Sequence, residues 1–153
     1  MQLRTTVNGE EWTLDASPAD VLLDVLRERV GVKSPKIGCE RGDCGSCTII
    51  MDGRTVRSCL VLAVEADGHE ITTVEGIGYD GLTELQNQML GNNSFQCGFC
   101  APAIVLAATE LLEHNPSPSR HDVQEALAGN LCRCTGYEPI IEAVLRAGGG
   151  GSE

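Results

Sequence analysis

A chain of 153 residues, 42% of them hydrophobic, can bury one core or two small ones, which excludes a disordered protein. The formal charge of −11 excludes a typical nucleic-acid-binding protein, which would present basic patches. Aromatic residues make up only 3% of the chain, yet it contains eight cysteines, so we expect inorganic centres to help hold compact subdomains together.

The apolar segments and the cysteines together indicate the cellular compartment. The first residues carry no apolar run typical of a signal peptide, and no later segment reaches the roughly 18 apolar residues of a membrane span. We therefore expect a cytoplasmic protein without a membrane span. Cytoplasmic thiols stay reduced, so eight cysteines favour metal ligation over a disulfide framework.

Two β-hairpins and a fifth strand are predicted in the first half of the chain. The predicted strands cover residues 2–7, 12–14, 48–51, 55–60 and 70–74. Asn8-Gly9 and Asp52-Gly53 are hairpin turn signals between successive strands.

One helix is predicted between the two hairpins. Ser17 offers an N-cap, Pro18 occupies the first helical position, and Asp20 lies three residues after the cap. Apolar residues then recur at helical spacing until Gly31, which ends the helix. Two hairpins, a helix and a closing strand predict a small α+β sheet with a helix across it.

The hydrophobic period changes in the second half. The helices predicted there cover residues 82–90, 102–114, 120–128 and 138–147. Ser119 and Asp122 form a capping-box pattern before the third helix, and Gly129 is its predicted end. Four short helices predict a small bundle. The predicted domains are residues 1–76 and 77–147, followed by a flexible tail at 148–153.

The first set of cysteines lies on and after a glycine-rich loop. Its members are Cys39, Cys44, Cys47 and Cys59. The first three are separated by four and two residues, which is the plant-type ferredoxin spacing. Gly38, Gly42 and Gly45 permit the unusual backbone angles and close approach that converging thiolates require. A zinc site is the alternative, although zinc sites favour two equal Cys-x2-Cys halves.

The second set is formed by Cys97, Cys100, Cys132 and Cys134. Each half of the set precedes a predicted helix, and the partial positive charge of a helix N-terminus favours a negatively charged cluster. Cys97 and Cys100 by themselves could form a redox disulfide, and the pattern of four is ambiguous between a zinc site and an iron–sulfur site. Beside the first set, it predicts a second [2Fe-2S] cluster.

Three stretches in order carry a family resemblance: GDCGSCT at residues 42–48, QCGFC at 96–100 and GNLCRCTGY at 129–137. They resemble the small iron–sulfur subunit of the molybdenum hydroxylases, the family of xanthine dehydrogenase, aldehyde oxidoreductase and aerobic CO dehydrogenase. The resemblance covers residues 2–147 and includes all eight cysteines. It implies an α+β fold in which a β-grasp plant-type ferredoxin domain precedes a four-helix domain, each holding one [2Fe-2S] cluster.

The resemblance also implies a cofactor held by a partner. In the family, the glutamine before the first bundle cysteine and the last bundle cysteine lie against the pterin of the molybdenum cofactor, which a large subunit binds. The matching residues here are Gln96 and Cys134. An amide with two donors and an acceptor suits a hydrogen-bonding pterin edge, although Gln96 could instead cap the adjacent loop.

One departure from the family follows Cys100. The family often has Thr-Pro-Gly there, whereas this chain has Ala101, Pro102 and Ala103. Loss of a hydroxyl cap typically costs about 0.5 to 2 kcal/mol, so a threonine at position 101 is predicted to raise thermal stability.

The function implied by the resemblance is electron transfer within a multi-subunit oxidoreductase. Electrons would pass from a large molybdopterin-binding subunit through both clusters to a medium FAD-binding subunit or another acceptor. The expected assembly is a heterotrimer or a dimer of heterotrimers. No residue has the pattern of a catalytic acid, base or nucleophile. A free-standing [2Fe-2S] electron carrier and a zinc-stabilised interaction module are the alternatives.

Overall fold

The first half of the chain forms a mixed five-stranded sheet in this computed structural model, which describes residues 1–149. The strands are β1 (Gln2–Val7), β2 (Glu10–Asp15), β3 (Thr48–Met51), β4 (Arg54–Arg57) and β5 (Glu70–Thr72). Their order across the sheet is β2-β1-β5-β3-β4. Only β1 and β5 run parallel among the paired strands of the described residues. The predicted β-grasp arrangement is confirmed.

Both predicted hairpin turns are confirmed. Asn8 and Gly9 have φ angles of 52° and 83°, and Asp52 and Gly53 have φ angles of 49° and 79°. Two successive left-handed residues define the turn whose twist matches that of the flanking strands, and Asn-Gly and Asp-Gly favour it.

The helix across the sheet, α1 (Leu22–Val25), begins later than predicted and continues as a π-helical turn over Leu26–Val30. The predicted cap at Ser17 is wrong, because its amide donates to the Asp20 carboxylate in a turn that precedes the helix. The Asp20 carbonyl accepts a hydrogen bond from the Ala63 amide at 2.8 Å. This distant pairing keeps the chain extended up to the start of α1.

The strands β4 and β5 are shorter than predicted. After Arg57 the chain turns, because the amide and hydroxyl of buried Ser58 donate to the Cys47 carbonyl at 3.3 and 2.7 Å. This turn brings Cys59 back toward the metal-binding loop. The strand β5 ends before Thr73, whose amide donates to the Asn8 side chain at 2.8 Å instead of to a neighbouring strand.

The second half forms the predicted four helices. They are α2 (Glu84–Gly91), α3 (Ala101–His114), α4 (Arg120–Leu127) and α5 (Glu138–Ala147). The capping box of Ser119 and Asp122 is confirmed. The C-cap of α4 is Ala128, so Gly129 is the first residue beyond the helix, as predicted, although its backbone is not left-handed. Among the described residues, no helix is long and apolar enough to cross a membrane.

Each half has its own core. Buried side chains of the sheet and α1 include Leu3, Val7, Leu22, Val25, Leu26, Ile49 and Ile71. Those of the bundle include Leu85, Met89, Ile104, Val123, Leu127, Ile140 and Val144. The separation of the two cores agrees with two domains, while the boundary between residues 76 and 77 stays a prediction. Within the predicted tail, residues 150–153 lie outside the described residues.

Candidate metal centres

The sulfurs of the first cysteine set lie together beside β3 as two close pairs. The Sγ atoms of Cys47 and Cys59 are 3.3 Å apart, well beyond the roughly 2.05 Å of a disulfide bond. Cys39 and Cys44 form the other pair, in which the Cys44 amide donates to the Cys39 sulfur at 3.3 Å. The predicted four cysteines are thus free thiols arranged as two pairs, and Cys39 is near enough to Cys59 to affect its pKa.

The loop that holds the first set directs backbone amides at sulfur. The amides of Arg41 and Cys44 donate to the Cys39 sulfur and lower the pKa of that thiol to about 6. The Ser46 amide lies 3.5 Å from the Cys44 sulfur. A side chain at Gly38 would place its Cβ only 2.6 Å from the same sulfur, so the loop needs glycine there. Such a cradle favours thiolates over thiols.

Cys59 has a different environment from the loop thiols. Burial raises its pKa to about 11, and the neighbouring Cys47 thiol adds to the effect. Cys47 is buried and Cys59 is partly buried. Such a pair of thiols next to an amide-rich pair is chemically suited to a metal, because a metal ion supplies the positive charge that desolvated thiolates require.

The second set also forms two close pairs, at the end of the bundle where α3 and α5 begin. The Cys97 and Cys134 sulfurs are 3.6 Å apart, and the Cys100 and Cys132 side chains contact each other. Burial raises the pKa of Cys100 to about 12, whereas the Phe99 amide is the main cause of a lowered pKa at Cys97. Each pair thus joins one cysteine that precedes α3 to one that precedes α5: the first with the last, and the second with the third.

Two hydroxyls that sequence reasoning did not assign to the site fix the Cys132 loop. The Tyr137 hydroxyl accepts a hydrogen bond from the Cys132 amide at 2.9 Å and donates to the Asn130 carbonyl at 2.8 Å. The Thr135 hydroxyl lies 3.1 Å from the Cys132 sulfur. Both residues lie in the short stretch GNLCRCTGY, and their closeness to two cysteines in the sequence could have indicated a role at the site.

Gln96 and Cys134 lie side by side at the exposed edge of the second set. The Gln96 amide nitrogen donates to the Cys134 carbonyl at 3.3 Å, so the glutamine does connect the two loops. Both residues are exposed in the isolated chain. Phe99 and Leu131 flank them with 46% and 55% of their surfaces exposed. Exposed apolar side chains around a polar pair are typical of a surface that a partner covers.

A lysine from the first domain reaches the second set. The Lys36 ammonium donates to the Phe99 carbonyl at 3.2 Å and lies 5.3 Å from the centre of the Phe99 ring. Burial lowers the pKa of Lys36. This cation is the kind of local charge that offsets a negatively charged cluster, and its position depends on how the two domains pack.

The two metal-binding loops are joined directly. The Leu131 amide donates to the Cys44 carbonyl at 2.8 Å. The buried Asn130 side chain donates to the Gly45 carbonyl at 3.2 Å, and the Arg57 guanidinium donates to the Gly129 carbonyl at 2.7 Å. The positions of the two sets relative to each other are therefore fixed by hydrogen bonds between the loops themselves.

This geometry fits two binuclear iron–sulfur clusters. Two thiolates on one tetrahedral metal ion with bonds of about 2.3 Å have sulfurs roughly 3.8 Å apart. The sulfur separations of 3.3 Å in the first set and 3.6 Å in the second are slightly shorter than that value. A [2Fe-2S] cluster takes four cysteines, two on each iron, and each set supplies two pairs.

Comparison with known protein families agrees with this chemistry over residues 5–145. Residues 5–74 match the family described as 2Fe-2S iron-sulfur cluster binding domain, and residues 73–145 match the [2Fe-2S] binding domain. Fold and matches together define a protein with two [2Fe-2S] domains.

Similar proteins narrow the class further. The chain is 48% identical to the nicotine 6-hydroxylase small subunit of Paenarthrobacter nicotinovorans, over 97% of this chain and 90% of the relative. It is 43% identical to the nicotinate dehydrogenase small FeS subunit of Eubacterium barkeri, over 95% of this chain and 93% of the relative. A chain in the crystal structure of quinoline 2-oxidoreductase from Pseudomonas putida 86 matches with a TM-score of 0.93 and 47% identity, over 97% of this chain and 92% of that one. The chain belongs to the family of small iron–sulfur subunits of the molybdenum hydroxylases.

Proposed function

We propose that this chain is the electron-transfer subunit of a molybdenum hydroxylase complex and that its eight cysteines hold two [2Fe-2S] clusters. The observation that carries the proposal is the pairing of the sulfurs. The first cluster would be bound by Cys39, Cys44, Cys47 and Cys59, and the second by Cys97, Cys100, Cys132 and Cys134. When bound, each cluster accepts and donates one electron, while the protein supplies position and electrostatics.

The exposed edge of the second set is the surface on which we place the large subunit. Gln96 and Cys134 form a polar pair on the exposed edge of the second set. We place the molybdenum cofactor of the large subunit against this pair. One Gln96 donor is used within the chain, and the amide retains a second donor and an acceptor for the pterin edge. The apolar side chains of Phe99 and Leu131 would be covered by the large subunit.

We place the first set at the other end of the relay. Leu60, beside Cys59, is 59% exposed, and the loop side chains of Arg41 and Asp43 are exposed as well. We place the exit to a medium FAD-binding subunit or another acceptor here. The assembly is then a heterotrimer, or a dimer of heterotrimers, in which this subunit contributes no catalytic residue.

We place the complex in the cytoplasm. All eight cysteines are free thiols in the structure, and no described pair approaches disulfide distance. Free cysteines that serve as cluster ligands fit a reducing compartment.

Purification of the tagged chain from its natural host tests the proposal. We expect a large subunit containing molybdenum and pterin to co-purify, with a flavin-containing subunit if FAD is the acceptor. Isolation of the chain as a monomer that carries both clusters and no molybdenum partner would instead support the free-standing carrier. The relatives named as small subunits favour the complex.

A pair of glutamine variants tests the docking face. Gln96→Glu introduces a negative charge at the proposed contact with the pterin and should lower the amount of molybdenum that co-purifies. Gln124→Glu makes the same change at an exposed position of α4 and should leave it unchanged. Equal molybdenum content in both variants would contradict the proposed position of the cofactor.

A further inference from the structure

Thr135 lies in the loop of the second set but is not one of its four cysteines. It lies three residues after Cys132, in the loop that leads to α5. Its hydroxyl oxygen is 3.1 Å from the Cys132 sulfur and 3.2 Å from the Tyr137 amide nitrogen. Among the described residues, it is the one side-chain hydroxyl within hydrogen-bonding distance of a cysteine sulfur.

The direction of this hydrogen bond follows from its neighbours. The Tyr137 amide can only donate, so it occupies a lone pair of the Thr135 oxygen. A metal-bound Cys132 is a thiolate without a proton and can only accept. The hydroxyl proton of Thr135 is therefore directed at the Cys132 sulfur.

The loop is rigid enough to hold this geometry. Tyr137 adopts a left-handed backbone with a φ angle of 72°, and its hydroxyl both accepts from the Cys132 amide and donates to the Asn130 carbonyl. Cys132 is thus restrained at its amide by one hydroxyl and at its sulfur by the other. By contrast, Cys97 and Cys134 lie exposed on the other side of the set.

We propose that the Thr135 hydroxyl donates a hydrogen bond to the Cys132 thiolate and raises the reduction potential of the second cluster. This inference rests on the proposed function. Reduction adds negative charge to the cluster and its thiolates, and a fixed donor stabilises the more negative state more strongly. Thr135 acts through Cys132, so it is a positioning and tuning residue and not a catalytic one.

Redox titration of the purified complex, followed by EPR, tests the proposal with two variants. Thr135→Val removes the hydroxyl and keeps the side-chain shape. We expect its second cluster to be about tenfold harder to reduce, a shift of about 59 mV to lower potential for a one-electron couple. Thr135→Ser keeps the hydroxyl and should keep the potential of the unmodified protein. The first cluster in the same sample serves as an internal reference and should not move.

Three results separate the possible failures. An unchanged potential in Thr135→Val, with both EPR signals present, overturns the tuning role. A zinc-containing or iron-free unmodified protein overturns the proposed function itself. Thr135→Val also leaves the Tyr137 amide without its acceptor, so the variant can lose the cluster altogether. In that case neutron diffraction of the unmodified, deuterated protein decides: a Thr135 deuteron on the line to the Cys132 sulfur supports the proposal, and one directed elsewhere overturns it.

Discussion

At the residue scale, Gly45 lies in the first metal-binding loop and packs closely against the second. Its φ angle is 74°, and a Cβ there would lie 2.2 Å from the Gly129 carbonyl oxygen. The sequence indicates that glycine is needed near the first cluster. It could not indicate the contact with Gly129, which arises only when the two domains pack.

Gly45→Ala should therefore be far more damaging than the same change in a hairpin turn. We expect a loss of about 3 kcal/mol or more in the free energy of unfolding, with loss of iron from the first site. The matched control is Gly53→Ala, where the φ angle is 79° but no atom lies within 4 Å of the new Cβ. Its expected cost is about 1 kcal/mol. Equal losses in thermal or urea unfolding would refute the close-approach explanation.

Glu75 provides a pH-dependent contribution at the same scale. Partial burial opposes ionisation, but hydrogen bonds from Ser34 and Thr73 outweigh it and lower the pKa of the Glu75 carboxyl from 4.5 to about 2. The carboxylate therefore stabilises the fold above pH 4.5, and this contribution is lost as the pH falls from 4.5 toward 2.

Glu75→Gln should lower the free energy of unfolding at neutral pH by about 1 kcal/mol, a value reduced for solvent screening at this half-exposed group. The gap between the variant and the unmodified protein should narrow below pH 4.5. Glu11→Gln, an exposed site on β2, serves as the control. A gap that stays constant across this pH range would mean that the ionised carboxylate is not the stabilising form.

At the element scale, local sequence patterns predict where the helices lie. Hydrogen bonds to distant parts of the chain decide where α1 begins. The apolar periods of α2 to α5 and the capping box of α4 are local patterns, so the sequence predicts that these helices exist. The start of α1 could not be predicted, because Asp20 pairs with Ala63 from the other hairpin. The eight ligand candidates were recognisable by spacing. Their crosswise pairing, Cys97 with Cys134, was not, because it depends on how α3 and α5 begin side by side.

Residue 101 is not the N-cap of α3, so the prediction that a threonine there would raise thermal stability is wrong. Cys100 is the N-cap of α3 and Ala101 is already helical, its amide donating to the Gly98 carbonyl. Ala101→Thr should lower the free energy of unfolding by about 0.5 kcal/mol through poorer helix propensity. Ser119→Ala, at the capping box of α4, should cost about 1 kcal/mol. A higher melting temperature for Ala101→Thr would restore the capping interpretation.

At the scale of the whole molecule, one buried side chain joins the domains. Asn130 is 2% exposed, and its amide nitrogen donates to the Gly45 carbonyl and to the Thr48 hydroxyl oxygen at 3.2 and 3.0 Å. The Arg57 guanidinium reinforces this contact at Thr48 and Gly129. A rigid interface between the domains keeps the two metal-binding loops at a constant separation, which a relay requires.

Asn130→Asp should weaken this interface. A carboxylate would face two oxygens, at an expected cost of about 3 kcal/mol in the free energy of unfolding. Calorimetry should then resolve two transitions in place of one, because the two cores would unfold independently. The same change at exposed Asn93, whose left-handed backbone aspartate tolerates, should alter stability by less than about 0.5 kcal/mol. A single, undisplaced transition in Asn130→Asp would show that the interface does not depend on this amide.

Electron transfer through this chain requires that the eight thiols hold two binuclear iron–sulfur clusters. EPR spectroscopy of the reduced protein, with spin quantitation, detects and counts such clusters. Two [2Fe-2S] clusters in different surroundings, one near Lys36 and Thr135 and one in the amide-rich loop, should give two distinct signals of about one spin each. A single signal, or no signal from protein that contains zinc in place of iron, would rule out two [2Fe-2S] clusters.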